Sequence, residues 1–128
     1  MVAPTFRKRE RIVSKHLIET LFGGGDSLSV TAFPLKAVYM QLGCHEGDEP
    51  IQVLVSVPKK RFKHAVDRNR VKRQVREAYR LNKGLLMEQL PDTERMLLAF
   101  IWLADRHYQS QDVTERVVSV LQRIAGRL

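Results

Sequence analysis

The stretch IQVLVSVPKKRFKHAVDRNRVKRQVREAYR, Ile51 to Arg80, decides how this chain is read. Its first residues alternate. Ile51, Val53, Val55 and Val57 point one way, while Gln52, Leu54 and Ser56 point the other, the period-two pattern of a strand with one buried and one partly solvated face. Pro58 closes that strand, and from about Asp67 to Asn82 the period becomes helical. At 100° per residue Val71, Val75, Ala78 and Tyr79 gather within an arc of roughly 100°, with Lys72, Arg73, Arg76 and Arg80 crowded opposite. One face docks and the other is presented.

The same stretch holds the charge. The chain has 128 residues, 22 Lys+Arg against 14 Asp+Glu, and a net charge of +8. Between Lys59 and Arg80 lie ten basic residues opposed only by Asp67 and Glu77, which already makes +8; the rest of the chain carries 12 of each sign. Solubility does not require such concentration. A positive field confined to one segment attracts polyanions and speeds their encounter.

Outward from this centre the chain reads as one α+β domain spanning residues 1–128, a length typical of single domains. Ser14 to Phe22 forms a short helix with Ser14 as N-cap and Leu17, Ile18, Leu21 and Phe22 on one face; Gly23-Gly24-Gly25 stops it. Leu28 to Leu42 is extended, with a break or edge position at Pro34. Gly84 and Pro91 bracket a loop or a second short helical piece. Arg95 to Ala104 (RMLLAFIWLA) is almost wholly apolar, as a buried central strand requires. Asp112 to Arg127 is amphipathic, with Val113, Val117, Val120, Leu121, Ile124 and Leu128 as its stripe and Asp112 with Glu115 as a capping box. The predicted order is α-β-β-β-α-β-α with a four-stranded sheet.

Several classes are excluded or disfavoured. A single cysteine, Cys44, forbids an intrachain disulfide and favours a reducing, cytoplasmic setting. The longest apolar run, Met96 to Ala104, has nine residues, where a membrane span takes about 20. Met1 to Glu10 is charged with no apolar region after it, unlike a signal peptide. His16, His45, His64 and His107 are scattered without metal-ligand spacing, and Cys44 reads as an ordinary thiol. The triple glycine has no Gly-Lys-Ser/Thr after it, so it is no phosphate loop. The expectation is no protein-borne catalytic residue, no protein metal site and no organic cofactor.

What remains is RNA recognition. Arg68, Arg70, Arg73 and Arg76 supply guanidinium forks matched to phosphate oxygens, with Lys72 among them. Asn69 adds an amide suited to a base edge or ribose, and the helix N-terminus near Asp67 favours phosphate.

The run FKHAVDRNRVKRQVREAYR, preceded by a strand ending in SVPKK, closely resembles the bacterial ribonuclease P protein subunit, and the likeness extends from RIVSKHLIETLFG to the closing helix. The resemblance implies a ribonucleoprotein endoribonuclease that removes the 5′ leader of precursor tRNA, whose catalytic subunit is an RNA holding Mg²⁺ and whose protein is a small basic cofactor. It further implies an α+β sandwich with an unusual left-handed β-α-β crossover, as in the second domain of a small-subunit ribosomal protein; handedness rules alone would favour the opposite hand. Residue by residue, Arg68, Asn69, Arg70, Lys72, Arg73 and Arg76 match the helix that contacts the catalytic RNA. Lys60, Phe22 and Tyr39 match positions around a cleft for the single-stranded leader, where aromatic rings stack on unpaired bases. Ile18 stands where an aromatic is usual, and Pro58 to Phe62 replaces a Ser-Gly pattern, leaving Phe62 as a different contact. No membrane and no obligate protein partner is implied. The alternative reading is a ribosomal or other structural RNA-binding protein. A helix-turn-helix DNA regulator is disfavoured, because a strand precedes the basic helix.

Overall fold

The computed structural model describes residues 5–23 and 25–128; Met1–Pro4 and Gly24, the middle of the expected helix stop, lie outside them. The elements are α1 (Lys15–Gly23), β1 (Leu28–Ala32), β2 (Leu35–Gly43), β3 (Ile51–Ser56), α2 (Ala65–Asn82), α3 (Gly84–Met87), β4 (Glu94–Trp102) and α4 (Ser110–Ala125), with a 3-10 turn at Lys8–Glu10. The sheet order is β1-β2-β4-β3. β1–β2 and β2–β4 are antiparallel, and β3 runs parallel to β4 through the α2 crossover. The apolar run thus becomes a central strand, as its composition requires.

Alternation sorts the sheet into two faces. Leu35, Ala37 and Tyr39 of β2, Val53 and Val55 of β3, and Leu98 and Phe100 of β4 meet Val71, Val75 and Tyr79 of α2 and Val117, Val120 and Leu121 of α4 in the main core. On the opposite face Met40, Leu97 and Ala99 meet Leu21 of α1 and Ile12, with Leu17 and Ile18 half-buried around them. Since β4 is covered on both sides, its sequence cannot alternate.

The helix and strand ends follow local chemistry, with some differences from expectation. The Ser14 hydroxyl accepts a hydrogen bond from the Leu17 N–H at 3.3 Å, a working N-cap for α1. The extended segment divides at Phe33–Pro34, where the peptide is cis. α4 starts earlier than the capping box suggests: Gln109 is its N-cap and Asp112 lies in its first turn, favourable to the helix dipole. β1 is an edge strand, and α4 covers it. Arg116 Nε donates to the Phe33 carbonyl at 2.9 Å, an Arg123 amino group to that of Thr31 at 2.8 Å, and an Arg127 amino group to that of Ser29 at 3.3 Å. Alternate carbonyls that would template another strand are thereby occupied by arginines.

Candidate nucleic-acid interface

α2 turns Val71, Val75, Ala78 and Tyr79 inward, the four residues that its periodicity selects. Asn69, Arg70 and Arg73 are exposed on its other side, with Lys72 and Arg76 half-buried beside them. Among the described residues Arg70, Lys72 and Arg73 have no hydrogen-bonding or ionic partner in the protein. Val66, four residues before Arg70 on the same side, is 80% exposed. Arg80 differs: Glu77 holds its guanidinium through contacts of 3.0 and 2.5 Å, and this pairing raises the Arg80 pKa and lowers that of Glu77.

Arg68 has a second task. One of its amino groups donates to the carbonyls of Phe62 and Lys63, each at 2.9 Å, and so ties down the β3–α2 loop. The same loop is held from the other side. Phe62 stacks on His107 with centroids 4.6 Å apart, His107 Nε2 lies 3.0 Å from an Asp67 carboxylate oxygen, and Arg61 pairs with Asp105 at 3.3 Å. Phe62 is buried in these contacts, so it offers no open ring to a ligand. Lys59 and Lys60 stay exposed at the loop's turn, closed by the Arg61 N–H to Pro58 carbonyl bond of 3.0 Å.

An N-terminal strap lies beside α2, with Arg7, Lys8, Arg9 and Arg11 against Glu10 alone; a charge count centred on Lys59 to Arg80 passes over it because the rest of the chain sums to zero. The Ile12 N–H donates to the Val53 carbonyl at 3.0 Å, and Arg11 bridges Val53 in parallel, so the strap runs along the outer edge of β3. Glu10 fastens it. Its carboxylate accepts from the Arg7 N–H at 2.9 Å and from Lys83 Nζ at 2.7 Å, the two charged side chains being only 11% and 15% exposed. Phe6 packs edge-on against Tyr79 at 5.7 Å, and the Arg11 guanidinium sits 5.3 Å from the centre of the Phe6 ring. Burial raises the Tyr79 phenol pKa, with help from the Glu10 and Glu49 carboxylates.

The opposite face of the sheet is only partly covered by α1. Across the strands Thr31 pairs with Lys36, Lys36 with Ile101, and Ile101 with Ser56; Thr31 is exposed and the other three are half-buried. The next row, Ser29, Val38, Ala99 and Leu54, is buried only at Ala99. This makes a shallow, mixed apolar and polar shelf with one cation, Lys36. The alternation of β2 marks Lys36 as sharing a face with Val38 and Met40, but which face stays open depends on where α1 docks.

Phe22 and Tyr39 therefore part company. Phe22, one turn beyond Ile18 on α1, is 47% exposed. Tyr39 is a correction: at 1% exposure it lies in the main core on the α2 and α4 side, and its hydroxyl accepts from an Arg127 amino group at 3.1 Å. Its odd position in β2 places it opposite to Val38 and Met40, so it cannot stack on a ligand held on the α1 face.

Comparison with known proteins agrees with this layout. The family model described as Ribonuclease P matches residues 6–125. A ribonuclease P protein component of Porphyromonas gingivalis is 43% identical over 128 residues, covering 98% of this chain and 91% of the relative. Among solved structures, an RNase P protein mutant from Staphylococcus aureus superposes with a TM-score of 0.69 at 20% identity, over 93% of this chain and 90% of that one. The RNase P protein from Thermotoga maritima gives 0.64 at 22% identity, over 91% and 97%. With the family match spanning nearly all of the described chain, this protein belongs to the ribonuclease P protein family.

Proposed function

We propose that this chain is the protein subunit of a bacterial ribonuclease P, binding the catalytic RNA through α2 and the 5′ leader of precursor tRNA on the α1 face. The observation that carries this reading is the run of unpartnered cations Arg70, Lys72 and Arg73 on the presented side of α2, in a chain of this family. Such cations bind RNA by displacing condensed counterions, and Arg forks fix the register against phosphates. Asn69 and the half-buried Arg76 extend the face, and Arg68 both orders the loop and contributes charge. The leader lies across the open shelf at Lys36 and Ile101, with Phe22 available for stacking and Lys60 at the adjoining end of β3 for a phosphate. The two RNAs then meet opposite faces of one sheet.

The endoribonuclease activity resides in the ribonucleoprotein. Among the described residues no group of three His, Cys, Asp or Glu is placed to hold a metal ion. We assign the metal ions of the reaction to the RNA subunit. No helix among the described residues is long and apolar enough to cross a membrane, and we assign the particle to the cytoplasm, where its tRNA substrate is made.

The test adds purified protein to a bacterial ribonuclease P RNA with precursor tRNA at low magnesium. Stimulated release of the 5′ leader is expected. RNA binding without stimulation would instead favour a structural RNA-binding protein.

A further inference from the structure

Where the strap meets α2, Arg11 over Phe6 and Arg76, one turn before Tyr79, flank the same Phe6–Tyr79 ring pair. Arg11 is aimed by three contacts: its backbone bridge to Val53, its stacking over Phe6, and the packing of Phe6 on Tyr79. Arg76 is one turn before Tyr79 on the same helix, and Arg11 is close enough that its charge, after burial, lowers the Arg76 pKa. Neither has an acidic partner among the described residues. The nearby carboxylates are already engaged, Glu10 by Lys83 and Glu49 by Arg9 at 2.5 Å. Arg11 and Arg76 thus leave positive charge around the Phe6–Tyr79 pair with no carboxylate to offset it, and a bound anion converts that surplus into attraction.

We propose that Arg11 and Arg76 together grip a single backbone phosphate of the catalytic RNA, which makes the N-terminal strap a second RNA-contacting element beside α2. The proposal rests on the subunit reading above. The partner is the catalytic RNA and not the leader, because this pair lies on the α2 side of the sheet, away from the α1 shelf. Two forks on one phosphate saturate its oxygens more fully than one fork does.

The experiment is a double-mutant cycle in the binding of ribonuclease P RNA at several salt concentrations, with Arg11→Gln, Arg76→Gln and both together. Each single change is expected to weaken binding about tenfold and to lower the slope of log K against log salt by roughly one unit. Because one phosphate is shared, the double variant should bind within about threefold of the weaker single variant. Arg11→Lys should restore the slope and only part of the affinity. Losses that multiply to about a hundredfold, with the slope reduced by roughly two units, would mean separate phosphates and overturn the proposal. So would wild-type binding by Arg11→Gln.

A measurement without RNA separates this site from the subunit reading. Inorganic pyrophosphate at matched ionic strength should raise the melting temperature of the wild type and not of Arg11→Gln, the two proteins melting alike without it. If pyrophosphate has the same effect on both, the paired site does not exist. If the wild type shows the selective stabilisation yet fails to bind the RNA, the anion site stands and the subunit reading falls.

Discussion

Arg68 and Arg70 are two residues apart and look equivalent in sequence, yet the structure predicts that replacing them by alanine has different consequences. Arg68→Ala removes two charge-assisted hydrogen bonds of 2.9 Å to the Phe62 and Lys63 carbonyls, one partly buried and one exposed. A hydrogen bond to a charged group contributes about 1.5–3 kcal/mol when shielded and far less in water, so together they amount to about 2 kcal/mol. For a 128-residue chain, an unfolding entropy of about 2.1 cal/mol/K per residue gives a fall in Tm of about 4 °C per kcal/mol, hence about 8 °C. Arg70→Ala breaks no contact within the protein, so its Tm should stay within about 2 °C of the wild type. Both should lose affinity for the catalytic RNA, Arg70→Ala by about 1–3 kcal/mol with one unit less salt slope. The assay pairs thermal unfolding by circular dichroism with RNA titration at four salt concentrations. An unchanged Tm for Arg68→Ala, or an equal loss for Arg70→Ala, would refute the division of labour.

Other outcomes follow from the same contacts. Phe22→Leu should leave the Tm nearly unchanged while reducing the holoenzyme's preference for long-leader over leaderless tRNA by about 1–3 kcal/mol; Tyr39→Leu should show the reverse, losing about 2–4 kcal/mol of stability to a core cavity and keeping the preference, as the affinity ratio and urea unfolding will report. Lys83→Met strands the Glu10 carboxylate at 11% exposure and should destabilise the protein by about 3 kcal/mol, with early proteolysis at the strap; the double variant Glu10→Gln/Lys83→Met should recover part of that loss. Replacing Arg116, Arg123 and Arg127 together by alanine frees the Ser29, Thr31 and Phe33 carbonyls, and should increase concentration-dependent self-association over that of the wild type, as sedimentation at matched concentrations will report.

Much was legible in the residues because it depends on local periodicity. The buried positions of α2, the alternation of β3 and the double-sided burial of β4 follow from side-chain spacing of 3.6 or 2 and from hydrophobicity, which need no knowledge of what the element packs against. The basic face was legible for the same reason, since a helix that buries Val71, Val75, Ala78 and Tyr79 must present Arg70 and Arg73 to solvent. Tertiary structure alone decided the rest. Period two says that Tyr39 and Met40 point to opposite faces of β2; only the docking of α1 and of the α2–α4 pair says which face is core, and that placed Tyr39 inside. Arg68, indistinguishable from Arg70 by type, became a loop anchor because the carbonyls of Phe62 and Lys63 fold back over it. Arg11 reached the turn of α2 that carries Arg76 and Tyr79, 65 positions of sequence from Arg76, through Phe6 and a buried ion pair. A linear charge count cannot register such a meeting, because Coulombic interaction depends on separation in space, and that separation exists only once the chain has closed on its core.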